Sequence, residues 1–291
     1  RKHCVGQLVA LPKMMLAYRR LCTNKRGMHE RNKGECMRLL VSVRSAEEAR
    51  AALAGGAEIV DAKDPRAGAL GAVELEELRA IVRAVNGMRL VSAAIGDSGD
   101  ADALAMRARA AAEAGATFVK VGFADVREPA LVRERLRRVM EGALLPAAPC
   151  AVVAVAYADW HEVGGAAPST VVAAAASEGA MGVLMDTVRK DGAGLFRCLG
   201  RAALGALVHD ARARSLLVAL AGRITVEDLA FAYEAGAEVV GVRGAACEHG
   251  REGRVRESRV RELLVARDAL VGKRGDACAI SRELTRETSF R

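Results

Sequence analysis

The 291-residue chain is 52% apolar but only 3% aromatic, so Ala, Val and Leu must fill a sizeable core. Its formal charge of +8 lies almost wholly in residues 1–36, which hold nine Lys/Arg against two Asp/Glu; the other 255 residues carry 35 basic and 34 acidic side chains, which argues against a basic nucleic-acid groove. No apolar run approaches the roughly 20 residues of a membrane span. Seven cysteines, at 4, 22, 36, 150, 198, 247 and 278, form no CxxC pair, and five histidines form no HxH or HExxH, so neither a disulfide framework nor a metal site is expected and a cytoplasmic setting fits.

Residues 1–36 lack sustained periodicity, and their apolar runs break at Pro12 and Lys13. They read as a basic, disordered leader or as sequence upstream of a start at Met37, with a targeting peptide as the alternative. From Arg38 an alternation begins. RLLVSV (38–43) has the pattern of a buried strand, and Ser45 with Glu48 three residues on predicts a capping box for the next helix. Strands are then predicted at 57–63, 89–97, 117–123, 150–159, 181–186, 215–222 and 238–244. Helices are predicted at 72–85, 101–116, 128–143, 169–180, 195–214, 226–237 and 255–270. AGA or GGA stops recur between helix and strand at 54–57, 114–116 and 235–237.

Strands rich in Val, Ile, Leu and Ala without polar alternation are buried on both faces, as parallel sheets require. Eight βα units predict a single (β/α)8 TIM barrel over 37–272, with a tail at 273–291. No GxGxxG follows the first strand, which leaves the dinucleotide-binding open sheet without support.

Between residues 37 and 272 there are 27 arginines and three lysines: Lys63, Lys120 and Lys190. Drift can leave such a remnant, but lysine alone can lose its proton and form a Schiff base. Position favours function. Lys63 ends the second strand, Lys120 lies late in the fourth, and Lys190 comes after the sixth. Barrel chemistry gathers at the C-terminal strand ends, and one interior layer comes from alternate strands, so the three converge. Asp61, two residues before Lys63, shares its strand face. It reads equally as a structural partner for a barrel lysine. Asp186 precedes Lys190 by four, the spacing of one helical turn, so a plain helix ion pair is the competing reading. Crowded ammonium groups lower one another's pKa, which suits a nucleophile and a base.

The seventh and eighth strands end in ALAG (219–222) and GVRGAAC (241–247). Phosphate binding is expected there, through the backbone at Gly222, Gly244 and Ala245 with charge from Arg243. Tyr157 and His161, just past the fifth strand, are candidate pocket residues; a packed tyrosine and a loop histidine are equally good readings.

LLVSVRSAEEA (39–49), GGAEIVDAKDPRAGALGA (55–72), VSAAIGD (91–97), FVKVGF (118–123), AVAYADWHEVG (154–164), LMDTVRKDGAGLF (184–196), VALAG (218–222) and GVRGAAC (241–247) together resemble the (5-formylfuran-3-yl)methyl phosphate synthase family, also called 4-(hydroxymethyl)-2-furancarboxaldehyde-phosphate synthase. The resemblance covers about 38–270. It implies a lyase that condenses two glyceraldehyde 3-phosphates, with loss of phosphate and water, into the furan precursor of methanofuran-type one-carbon cofactors. By motif, Lys63 is similar to the family's Schiff-base lysine and Lys120 to its proton acceptor, while Asp186 and Lys190 match its D-T-x-x-K pair. Asp64 stands where relatives can have asparagine, and Trp160 where alanine is expected. No cofactor is implied, and a homo-oligomer stays open. Two alternatives remain at this stage: another lysine-dependent aldolase-like barrel acting on a sugar phosphate, and a non-catalytic barrel that binds a phosphometabolite. Lysine or furan chemistry separates them, because a binder tolerates arginine at these positions and an aldol does not absorb like a furan aldehyde.

Overall fold

A strand that is apolar on both faces needs cover on both, and the eight such segments find it by closing on one another. The computed structural model describes residues 37–270; the leader and the tail expected from the sequence lie outside them. Strands β1 (Arg38–Val43), β2 (Ile59–Ala62), β3 (Leu90–Ala94), β4 (Phe118–Val121), β5 (Ala151–Tyr157), β6 (Gly182–Asp186), β7 (Leu217–Leu220) and β8 (Val239–Val242) form a closed, all-parallel barrel in sequence order. Helices α1 (Ala46–Ala54), α2 (Leu75–Val85), α3 (Ala101–Glu113), α4 (Pro129–Leu144), α5 (Trp160–Val163), α6 (Pro168–Glu178), α7 (Leu195–Ala213), α8 (Leu229–Glu234) and α9 (257–270) lie between and after them.

Alternate side chains sort into two apolar layers. Leu39, Val41, Val60, Val119, Val152, Val183 and Val218 point outward and pack beneath the helices. Leu40, Ile59, Phe118, Val153, Leu184, Leu217 and Val239 fill the interior. Each Val or Leu buried in this way contributes about 1.5–3 kcal/mol. The interior is not apolar throughout. Register sets Ser42 beside Asp61 and Asp61 beside Ser92, and Lys120 lies beside Ala94 and Val153, so a polar layer begins above the apolar floor.

Local chemistry sets the ends of the elements. Ser45 accepts the Glu48 N–H at 3.3 Å, but the expected capping box is only half made. Glu48 accepts instead from the Arg44 N–H at 2.9 Å and pairs with Arg243, a stronger partner than the N-cap amide. The AGA stops behave as read: Gly56, Gly115 and Gly236 take φ of 96°, 96° and 87°. Two buried arginines tie the shell together, each with a carboxylate. Arg135 on α4 pairs with Asp125 at 2.7 Å, and Arg267 on α9 holds Glu58 and the Met37 carbonyl at the start of β1. Among the described residues, no helix is long and apolar enough to cross a membrane.

Candidate active site

β2, β4 and β6 deliver their terminal polar residues to one cavity of about 480 Å3 at the C-terminal mouth, a size typical of small-molecule sites. Lys63, Lys120, Asp186 and Lys190 all line it. Asp61 sits beneath, fully buried. Its carboxylate accepts from Ser42 Oγ at 2.8 Å, Ser92 Oγ at 2.5 Å and Lys120 Nζ at 2.6 Å. Asp61 is therefore the partner of Lys120 and not of its strand neighbour Lys63.

Lys63 answers to Asp186. Its Nζ lies 3.8 Å from Asp186 Oδ2 and, among the described residues, has no hydrogen-bond partner. Lys190 is held harder, donating to Asp186 Oδ1 at 2.7 Å and to the Thr187 carbonyl. Burial pulls the Lys63 pKa down, Asp186 pulls it up, and Lys190 and Lys120 push it down again; it settles at about 8. At pH 7 about 10% of such a side chain is neutral amine, against about 0.03% at the ordinary lysine value. Burial pushes the Asp186 carboxyl up, but Lys190, Lys63 and the Thr187 N–H outweigh it, so the group stays ionised below its usual value.

The Asp186–Lys190 contact is not the helical turn that its spacing suggested. Residues 187–190 form a loop that folds Lys190 back over the end of β6. Buried Asp159 fixes that loop, accepting the Val188 and Arg189 N–H groups at 2.8 Å each. Sequence reasoning passed over Asp159, although an aspartate closing an apolar strand is the signal that picked out Asp61 and Asp186.

The mouth over β7 and β8 is built by Gly222, Gly244 and Ala245, which line the cavity as expected. Among the described residues, the backbone N–H groups of Gly244 and Ala245, which open a 3-10 turn over Gly244–Ala246, donate to no protein acceptor. Arg243 also lines the cavity, but its five donors are all committed: to Glu48 (2.5 and 3.2 Å), Ser42 O (3.0 Å), Arg251 O (2.9 Å) and Gly253 O (2.9 Å). It braces the mouth and has no donor left for a ligand. Arg223 and Arg251, which the sequence reading missed, are the arginines that face the cavity with donors to spare.

A family model described as 4-HFC-P synthase matches residues 39–264. Curated (5-formylfuran-3-yl)methyl phosphate synthases agree with it. That of Methanocaldococcus jannaschii is 37% identical over 230 residues, 78% of this chain and 98% of that one. That of Methanopyrus kandleri is 37% identical over 232 residues, 79% and 98%. The chain belongs to this family. It is thus an enzyme of the lyase class. Solved barrels support the fold alone. A 3-hexulose-6-phosphate synthase superposes with TM-score 0.55 at 19% identity, covering 79% of this chain and 99% of that one. The phosphoribosyl anthranilate isomerase of Thermus thermophilus does so with TM-score 0.55 at 19% identity, covering 80% and 100%.

The two positions where the resemblance led to another residue, Asp64 and Trp160, fall outside the cavity lining. Asp64 caps the turn Pro65–Ala67 and pairs with exposed Arg66 at 2.9 Å. Trp160 sits on α5 with its ring edge against His161. Tyr157 and His161 themselves do not line the cavity. The Tyr157 hydroxyl donates to Asp97 at 2.8 Å, and burial, Asp97 and Asp186 hold its pKa well above the phenol value. His161 is exposed on α5.

Gly222 carries a geometric demand. Its φ is 101°, and a Cβ there would stand 3.2 Å from Thr187 N and 3.3 Å from Asp186 Oδ1. Gly222→Ala is expected to destabilise the barrel by about 1–3 kcal/mol and to displace Asp186. A Cβ at Gly244 would meet nothing closer than 3.6 Å, so Gly244→Ala is expected within about 0.5 kcal/mol of wild type. Urea unfolding of the two variants checks both, and equal stabilities would contradict the contrast.

Proposed function

We propose that the enzyme condenses two glyceraldehyde 3-phosphates into (5-formylfuran-3-yl)methyl phosphate, for methanofuran-type cofactor synthesis, through a Schiff base on Lys63. The observation that carries the reading is the state of Lys63. It alone of the three cavity lysines has no hydrogen bond among the described residues, and its pKa falls to about 8. An amine that is free to lose its proton and open to the cavity can add to an aldehyde carbonyl, and loss of water leaves an iminium. The iminium draws electrons from the adjacent carbon, which gives up a proton and attacks the second aldehyde.

Proton movement falls to the residues around it. Lys120, seated on Asp61, takes the role of acceptor: its ammonium first gives a proton to the hydroxyl that leaves as water when the iminium forms, and the neutral amine then takes the proton from the adjacent carbon, with Asp61 beneath it to pair the charge again. Asp186 and Lys190 face the same carbonyl region and serve the eliminations of water and phosphate. The unpartnered amides of Gly244 and Ala245, with Gly222 after the neighbouring strand β7, hold a phosphate. Among the described residues, no group of three or more His, Cys, Asp or Glu lies close enough to hold a metal ion, and the scheme uses only lysine and carboxylate chemistry.

Incubation with glyceraldehyde 3-phosphate and borohydride, with peptide mapping of the product, tests the reading. The reduced adduct is expected on the peptide that holds Lys63, and its yield should rise with pH through about 8 as the amine deprotonates. In parallel, the strong ultraviolet absorbance of a furan aldehyde separates this product from a simple aldol. An adduct on Lys190 would move the nucleophile; absence of both adduct and absorbance would remove the reaction.

A further inference from the structure

Arg243 and Arg251 stand together at the β8 mouth, and their roles divide cleanly. The segment after β8 turns back on itself: Cys247 bridges Val255, and the Glu248 N–H donates to Arg254 O at 3.0 Å. Arg251 lies at the tip of this arm. Its carbonyl is held from below by Arg243 Nε at 2.9 Å, and its guanidinium reaches across the mouth to the Pro65 carbonyl at 2.9 Å, two residues past Lys63. That single bond leaves most of its donors uncommitted.

The unusual feature is the charge. Arg135, Arg243 and Arg267, whose side chains are at most 9% exposed, each pair with a carboxylate. Arg251 is half-buried yet pairs with none among the described residues, and neither does Arg223, which lines the cavity after β7. Six cations line the cavity: Lys63, Lys120, Lys190, Arg223, Arg243 and Arg251. Three carboxylates, Asp61, Asp186 and Glu48, are paired with members of that set. The surplus is too large for one bound phosphate, which carries about −1.5 to −2 at neutral pH, and suits two. The free amides of Gly244 and Ala245 account for one.

We propose that Arg251 forms a second anion subsite in the cavity, distinct from the β7 and β8 loop amides, that takes the phosphate of the second triose. The proposal rests on the two-triose reading above for the identity of that anion. Its geometry suits the task. A planar fork held at the rim between β8 and β2 presents paired donors to a phosphate whose carbon chain points down to Lys63. Arg243, fully bonded, keeps the arm in place so that Arg251 need not be ordered on binding.

Calorimetric titration of the full chain with glycerol 3-phosphate, which carries the phosphate but no carbonyl, tests this directly. Wild type is expected to take up two equivalents. Arg251→Ala should keep one with unchanged affinity and bind the other at least about tenfold more weakly, as loss of a charge-assisted pair implies. Arg251→Lys should fall between them, and Arg251→Gln, which can still donate to Pro65, serves if the alanine variant does not fold. Two equivalents of unaltered affinity in the variants, or a single equivalent in wild type, overturns the subsite. The furan assay separates the two readings. If wild type binds two equivalents but makes no furan aldehyde, the proposed reaction falls and the subsite stands; if it makes the furan while the variants bind as wild type does, the reverse holds.

Discussion

Lys63→Arg is expected to give a folded barrel that forms furan aldehyde at least about 1000-fold more slowly, on the order of 4 kcal/mol of lost transition-state stabilisation, and that borohydride no longer traps. The substitution keeps the charge and therefore the attraction to Asp186, which lies 3.8 Å from the lysine. It removes only the ability to become a neutral amine. Room for the larger head exists, because Lys63 lines a cavity of about 480 Å3 and has no hydrogen bond to disrupt. Circular dichroism and thermal unfolding close to wild type are therefore expected alongside the lost activity. A chain that uses arginine so freely elsewhere should tolerate it here if Lys63 is only a structural cation. Turnover near that of wild type would end covalent catalysis at this residue and make Lys190 the next candidate.

The barrel was legible because its strands are apolar on both faces, a property that local sequence carries in full. RLLVSV over 38–43 became β1 (Arg38–Val43) without change. Ends were less secure where a strand continues into a loop of similar composition. The segment 89–97 shortens to Leu90–Ala94, and the helix expected over 226–237 shrinks to Leu229–Glu234. The period of two placed Asp61 and Lys63 inside the barrel, and the alternate-strand rule brought Lys120 and Lys190 to them. Sequence could not say which lysine meets which carboxylate. That depends on how far one strand is staggered against the next, and the stagger sets Lys120, not Lys63, on Asp61. Nor could it show Arg243 saturated, since its carboxylate partner is 195 residues away on α1. Arg251 sits between Gly250 and Glu252 in a stretch that reads only as a turn. Its meaning comes from an arm folding back over the mouth, which no local pattern encodes.

Asp186→Asn is expected to uncouple formation of the covalent adduct from the later eliminations. The carboxylate raises the Lys63 pKa and anchors Lys190 at 2.7 Å. Replacing it with a neutral amide removes the larger of the two carboxylate attractions that favour the charged amine, and leaves only the weaker one from Asp61. Burial and the charges of Lys190 and Lys120 still press downward, so the Lys63 pKa must fall below about 8. Borohydride trapping is therefore expected to persist, with the midpoint of its pH profile moved to lower pH. Turnover should move the other way. Lys190 loses its carboxylate anchor and keeps only its bonds to Thr187, no carboxylate remains to pass protons between Lys63 and Lys190, and furan formation should drop by about 100-fold or more, as removal of a general acid or base does. The Thr187 N–H, which donates to Asp186 at 2.7 Å, can still find the amide oxygen, so the loop after β6 and the fold should survive. Adduct without product would place Asp186 after carbon–nitrogen bond formation. If kcat stayed within about threefold of wild type and the trapping profile did not move, Asp186 and Lys190 would be a loop-holding ion pair and no more.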